Sequence, residues 1–131
     1  MTKRIALFLA LLLVAAVGFA GEGHNHASEK AAGPLKKVET KKVCMINEHA
    51  MGKDQIPVEI EGKTYYGCCD MCKKALAADA SKRVAKDPVS GKAVDKATAV
   101  IAAQEDGKVF YFENEENLAK YNAKFTDAHK H

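Results

Sequence analysis

The sequence has no tryptophan and only three prolines, and two of its five phenylalanines, Phe8 and Phe19, fall in the first twenty residues. A large aromatic core is therefore excluded. The chain also lacks a glycine-rich phosphate loop, a nucleophile elbow and any paired-carboxylate arrangement, so no motif points to catalysis and a non-enzymatic role is expected. Charge of one sign is nearly absent in excess. Lys+Arg outnumber Asp+Glu by 3, too little to imply nucleic acid or another polyanion as a partner. A membrane span is missing too: the one long uncharged apolar run, Ile5 to Phe19, falls short of the roughly 20 residues a spanning helix needs.

That run reads instead as a targeting signal. Lys3 and Arg4 supply a basic start, and Gly18-Phe19-Ala20 offers the small residues a signal peptidase reads, which places cleavage after Ala20. Export to the periplasm or the medium is the expectation, with no stable membrane span left after cleavage. Loss of residues 1–20 removes two basic residues and no acid, leaving a balance of +1 from the original +3. Residues 21–42 are polar, carry glycine and proline and show no apolar period, so they read as a flexible arm holding His24 and His26. A short tail, 127–131, carries His129 and His131.

What the chain does have is sulfur. Cys68, Cys69 and Cys72 lie within five residues, and Cys44 stands upstream of a hairpin. In an oxidising compartment four cysteines can make a disulfide framework. Two vicinal cysteines followed by a third at helical spacing favour a thiolate metal site instead.

Ile56, Val58 and Ile60 alternate with Pro57, Glu59 and Glu61, the period of a half-buried strand, which Pro57 confines to an edge or to a strand start. Glu61-Gly62-Lys63 turns the chain, and Thr64-Tyr65-Tyr66 pairs back. Asp70 is the expected N-cap of a helix with Cys72, Ala75, Leu76 and Asp79 on one face, which fades through Ala80-Ser81 or persists to Lys86, where Asp87-Pro88 stops it. The second half repeats the plan: a strand at 99–102, a turn at 104–108, a return strand Val109-Phe110-Tyr111-Phe112, and a helix capped by Asn114 with Leu118, Tyr121 and Phe125 on one face. In this register Cys68 falls on Glu113, Cys72 on Asn117 and Cys44 roughly on Ser90. The fold class is α+β, two small ββα modules, of which only the first carries thiols.

Residues 44–76, with Cys44, Tyr65-Tyr66, Cys68 and Cys72, resemble the TRASH domain, a small treble-clef-like module linked to heavy-metal trafficking, sensing and resistance. Residues 86–125 resemble the related YHS domain, whose opening is typically Asp-Pro-Val-Cys-Gly and whose hairpin ends Tyr-Phe-Cys. Here Asp87-Pro88-Val89-Ser90-Gly91 and Phe112-Glu113 lack both cysteines, so the resemblance there implies fold rather than metal binding. The resulting organisation is a signal at 1–20, an arm at 21–42, a TRASH-like module at 43–85, a YHS-like module at 86–126 and a tail.

Chemically, Cys44, Cys68 and Cys72 are the expected ligands of a copper or zinc ion. Residues four apart share a helix face, and a helix N-terminus favours thiolate. Cys69, His49 or water would complete a shell of four. Met45, Met51 and Met71 flank the cysteines; thioethers suit Cu(I), but core packing is their plainer role. Tyr65, Tyr66, Phe110 and Tyr111 are expected to pack a core, and Glu113, Glu115 and Glu116 to complement a helix N-terminus. The expected partners are the metal ion and a transport or efflux protein. Two other readings stand beside this one. Cys69-x2-Cys72 suits a thiol–disulfide redox protein, although the βαβ pattern of thioredoxin-like chains is missing. A non-catalytic module that docks on a partner is the other.

Overall fold

A computed structural model describes residues 31–127. The expected signal peptide, the histidines at 24 and 26 and those at 129 and 131 lie outside the described residues. In chain order the elements are β1 (Lys36–Lys37), β2 (Val43–Cys44), β3 (His49–Ala50), β4 (Ile56–Ile60), β5 (Lys63–Gly67), α1 (Asp70–Ala78), β6 (Val84–Lys86), β7 (Ala93–Asp95), β8 (Val100–Ala103), β9 (Val109–Phe112) and α2 (Glu115–Thr126). The architecture is mixed α+β, with two helices and several small antiparallel sheets. No helix among the described residues is long and apolar enough to cross a membrane.

Each half runs short hairpin, longer hairpin, helix: β2–β3, β4–β5, α1, and then β6–β7, β8–β9, α2. The longer hairpins follow the expected alternation. Val58 faces Tyr65 across β4–β5, and Glu61 and Gly62 form the turn with φ of 51° and 76°. Two successive positive φ values match the right-handed twist of the flanking strands, which is why a glycine sits there. Pro57 lies on a strand paired on one side only, where its missing N–H breaks no ladder.

Four expectations are corrected. The short hairpins β2–β3 and β6–β7 are additional to the ββα plan; strands of two or three residues are too brief to show a period. The arm does not extend to residue 42. Ala31 and Leu35 are buried against α2, with the Ala31 N–H donating to the Tyr121 hydroxyl (2.9 Å) and the Leu35 N–H to Asn122 Oδ1 (2.8 Å), and β1 pairs with β8. The boundary at 85/86 passes through β6, which pairs with β7 and belongs to the second half. The N-cap of α1 is Cys69, not Asp70; the helix itself gives way after Ala78, where the Asp79 side chain accepts the Ser81 N–H (2.9 Å) and starts a 3-10 turn, in line with the expected fading through Ala80-Ser81.

The halves share one core. Val43, Met45, Tyr65 and Leu76 of the first pack with Val94, Ile101, Ala103, Val109 and Tyr111 of the second. A second cluster joins Ala31, Leu35, Phe110, Phe112, Leu118 and Tyr121. Main-chain bonds splice the halves: the Ala50 N–H donates to the Gly107 carbonyl (2.8 Å), and the Val109 N–H to that of Glu48 (3.0 Å). Lys96, almost wholly buried, reaches from the second half to the Met45 carbonyl (2.9 Å) and Glu48 Oε1 (2.8 Å). A buried ammonium needs such partners, because an unpaired one would carry a heavy desolvation cost.

Candidate metal centre

Three elements deliver the sulfurs. Cys44 closes β2 and is fully buried, followed by the turn that leads to β3. Cys68 follows directly on β5, and Cys72 sits in the first turn of α1. Gly67 makes this approach possible, since a Cβ at that position would lie 2.8 Å from the Cβ of Cys72. Here the need is for space rather than for an unusual φ.

The sulfurs of Cys44, Cys68 and Cys72 all lie within 4.8 Å of one another. Cys44 Sγ is 3.9 Å from Cys72 Sγ, and Cys68 Sγ is 3.6 Å from it. Two sulfurs each about 2.3 Å from one tetrahedral ion stand about 3.8 Å apart. The three thiols are therefore near enough to hold one metal ion with little rearrangement. The four cysteines are unpaired in the structure.

Asn47 ties the cluster together. Its N–H donates to Cys44 Sγ (3.5 Å) and its Nδ2 to Cys68 Sγ (3.4 Å). Donors aimed at sulfur stabilise thiolate, the form that binds metal. Burial alone would raise the Cys44 pKa, but the N–H groups of Asn47, Ile46 and Cys68 outweigh it and hold the thiol below its ordinary value. Cys72 is pushed up to about 12, chiefly by burial and then by its Cys69 and Cys68 neighbours. Cys68 is raised mainly through Cys44, whereas Cys69 is lowered mainly by the backbone N–H of Cys72. Burial thus favours the protonated form of Cys72, and metal binding has to displace that proton.

The remaining candidates separate cleanly. Cys69 is exposed, and although its sulfur is 3.5 Å from that of Cys72 it stands outside the group of three. His49 faces Cys44 across the β2–β3 ladder, yet its ring lies on Gly107 of the second half, so it is not gathered with the sulfurs. Met45 is core, its sulfur accepting the Tyr66 N–H (3.4 Å). Met51 and Met71 are exposed, Met71 by 79%, so core packing does not account for them. Tyr65, Phe110 and Tyr111 are buried as expected, and Glu115 and Glu116 occupy the first turn of α2. Comparison with protein-family models, curated proteins and solved structures gives no match for this chain.

Sequence reasoning missed Asn47 and Asp87. Asn47 carried one available signal, an amide side chain three residues after a cysteine, where turn chemistry favours it. Asp87, not Ser90, is the residue of the second half that reaches Glu113 and Asn117. Its Oδ2 accepts from the Glu113 N–H and from Asn117 Nδ2, both at 2.8 Å, while Ser90 is exposed. Its Oδ1 accepts the N–H groups of Val89 (2.6 Å) and Ser90 (3.1 Å). The carboxylate fully occupies the position with hydrogen bonds.

Proposed function

We propose that the protein is an exported heavy-metal-binding protein that holds copper or zinc through Cys44, Cys68 and Cys72 and serves metal trafficking, buffering or tolerance. The observation that carries the binding is the set of sulfur separations, 3.6 and 3.9 Å about Cys72, matched to a single ion. Three thiolates suit soft Cu(I) or borderline Zn(II), with solvent open to a fourth zinc position beside the half-exposed Cys68. Asn47, bonded to two of the three sulfurs, acts as an outer support of the kind that orients metal ligands.

The trafficking part rests on the TRASH-like pattern of residues 44–76, and export on the basic, apolar, small-residue start of the chain. The second half, YHS-like in pattern, carries no thiol and serves as scaffold and as a face for a transport or efflux partner. The role is carriage, not catalysis.

Native mass spectrometry of the protein purified from its own compartment, with elemental analysis, tests the reading. One copper or zinc ion per chain is expected, with none in a C44S or C72S variant. A chain that stays metal-free in titrations with both Cu(I) and Zn(II) would sink it.

A further inference from the structure

The triad leaves one thiol over. Cys69 is exposed, stands next in sequence to a proposed ligand, and places its sulfur 3.5 Å from that of Cys72, the shortest of the sulfur separations here. The two residues are the N-cap and the third residue of α1, an i, i+3 spacing that meets the Cα separation of about 4.4–6.8 Å a disulfide needs. Cys72 is buried behind it. Cys68 is also close to Cys72, but it is held by Asn47 Nδ2 and belongs to the group of three. An incoming reagent therefore meets Cys69 first.

We propose that Cys69 and Cys72 form a thiol–disulfide exchange pair that shares its inner sulfur with the metal triad, so that oxidation of the pair and occupancy of the site exclude each other. The co-substrate is a low-molecular-weight disulfide. The Cys69 thiolate attacks one of its sulfurs, a mixed disulfide forms at Cys69, and the first small thiol leaves. Cys72 Sγ then attacks the Cys69 sulfur, the Cys69–Cys72 bond forms, and the second small thiol leaves. Two electrons pass from the pair to the reagent, which departs as two thiols carrying the protons. A Cys72 sulfur bound to Cys69 is no longer a thiolate donor. Only Cys44 and Cys68 then remain to grip the ion, and it is released. This rests on the metal-binding reading above and adds its regulation.

The test uses the full chain, reduced and loaded with zinc, which does not itself change oxidation state. Oxidised glutathione is added, zinc release is followed with a chromogenic chelator, and disulfides are mapped by peptide mass spectrometry. Zinc is expected to leave in step with a Cys69–Cys72 linkage. C69S, its zinc content measured at the start, should release the ion about tenfold more slowly or less. C72S, folded or not, should trap glutathione on Cys69. Zinc retained while the Cys69–Cys72 bond forms would overturn the proposal and leave the metal reading intact. So would release at the wild-type rate from C69S, or a Cys68–Cys72 linkage in place of the proposed one. A wild-type chain that takes up no zinc or copper at all would instead strike down the metal reading and the coupling with it.

Discussion

The carboxylate of Asp87 fills in the second half the position that the sulfur of Cys44 fills in the first. Cys44 reaches Cys68, directly after β5, and Cys72, the third residue of α1; Asp87 reaches Glu113, directly after β9, and Asn117, the third residue of α2. One half closes this junction with thiols suited to an ion, the other with charge-assisted hydrogen bonds made by the chain alone.

Replacing Asp87 by alanine should therefore destabilise the whole protein by about 3 kcal/mol, because the buried Asn117 amide and the partly buried N–H groups of Val89, Ser90 and Glu113 lose their acceptor. Urea titration would measure this, and the loss should be the same with and without metal. A difference below about 1 kcal/mol would argue against the junction.

The same carboxylate sets an acid limit. Burial acts to raise the pKa of Asp87, but donors from Glu113, Asn117, Val89 and Ser90 overcome it and hold the group below its ordinary value of 3.8. Asp95 is also lowered against burial, by Lys63, the Ala97 N–H and Tyr65. A depressed folded pKa gives stability that is complete above the unfolded value and is lost as pH falls through the folded one. Melting temperature should hold steady above pH of about 5 and fall below about 4, and D87N should flatten part of that fall. An unchanged profile in D87N would contradict it.

Gly67→Ala should weaken metal binding without abolishing the fold. The added methyl presses on Cys72 Cβ at 2.8 Å and must shift it or the start of α1. Overpacking of this kind costs about 1–3 kcal/mol, here seen as a loss of roughly tenfold or more in zinc or copper affinity by competition titration. Gly62→Ala, where nothing lies within 4 Å, should leave affinity alone although its φ of 76° strains the turn.

Removal of the ion should lower stability by about 3 kcal/mol at metal concentrations near a hundred times the dissociation constant, yet leave the chain folded. The reason is the shared core: Val43, Met45, Tyr65 and Leu76 pack against second-half residues whether or not the cysteines are bridged. Circular dichroism before and after chelation would decide. Complete loss of structure would show that the core alone cannot hold the first half.

Tyr111→Phe should stabilise the protein by about 1 kcal/mol. The Tyr111 hydroxyl is buried and has no hydrogen-bond partner, and removing an unsatisfied polar atom relieves a desolvation cost. Burial, with the nearby charges of Glu48 and Cys44, also drives its pKa upward, so no ionised form contributes near neutrality. A lower melting temperature for the variant would mean that the hydroxyl is engaged after all.

Much of the site was legible because its determinants are local. The alternation of Ile56, Val58 and Ile60, the Glu61-Gly62 turn and the spacing of Cys68 and Cys72 each act over a few residues. What escaped was set at long range or by very short elements. Lys36 pairs with Ala103, and the scattered apolar residues Ala31, Leu35 and Val38, which show no period, anchor that segment. The knuckle after Cys44 is made by a two-residue strand on each side, too little for any period. The equivalence with Ser90 came from aligning cysteine with a small polar residue, whereas geometry selects Asp87, whose longer reach spans the same gap with oxygen.

The main-chain splice from Glu48 and Ala50 to Val109 and Gly107 has a consequence for how cargo would enter and leave. The knuckle that bears Cys44 is riveted to the opposite half, so the molecule has no hinge there to swing wide. Transfer would proceed at the outer lip, through Cys68 and the solvent beside it, by an incoming donor taking hold before the departing one lets go.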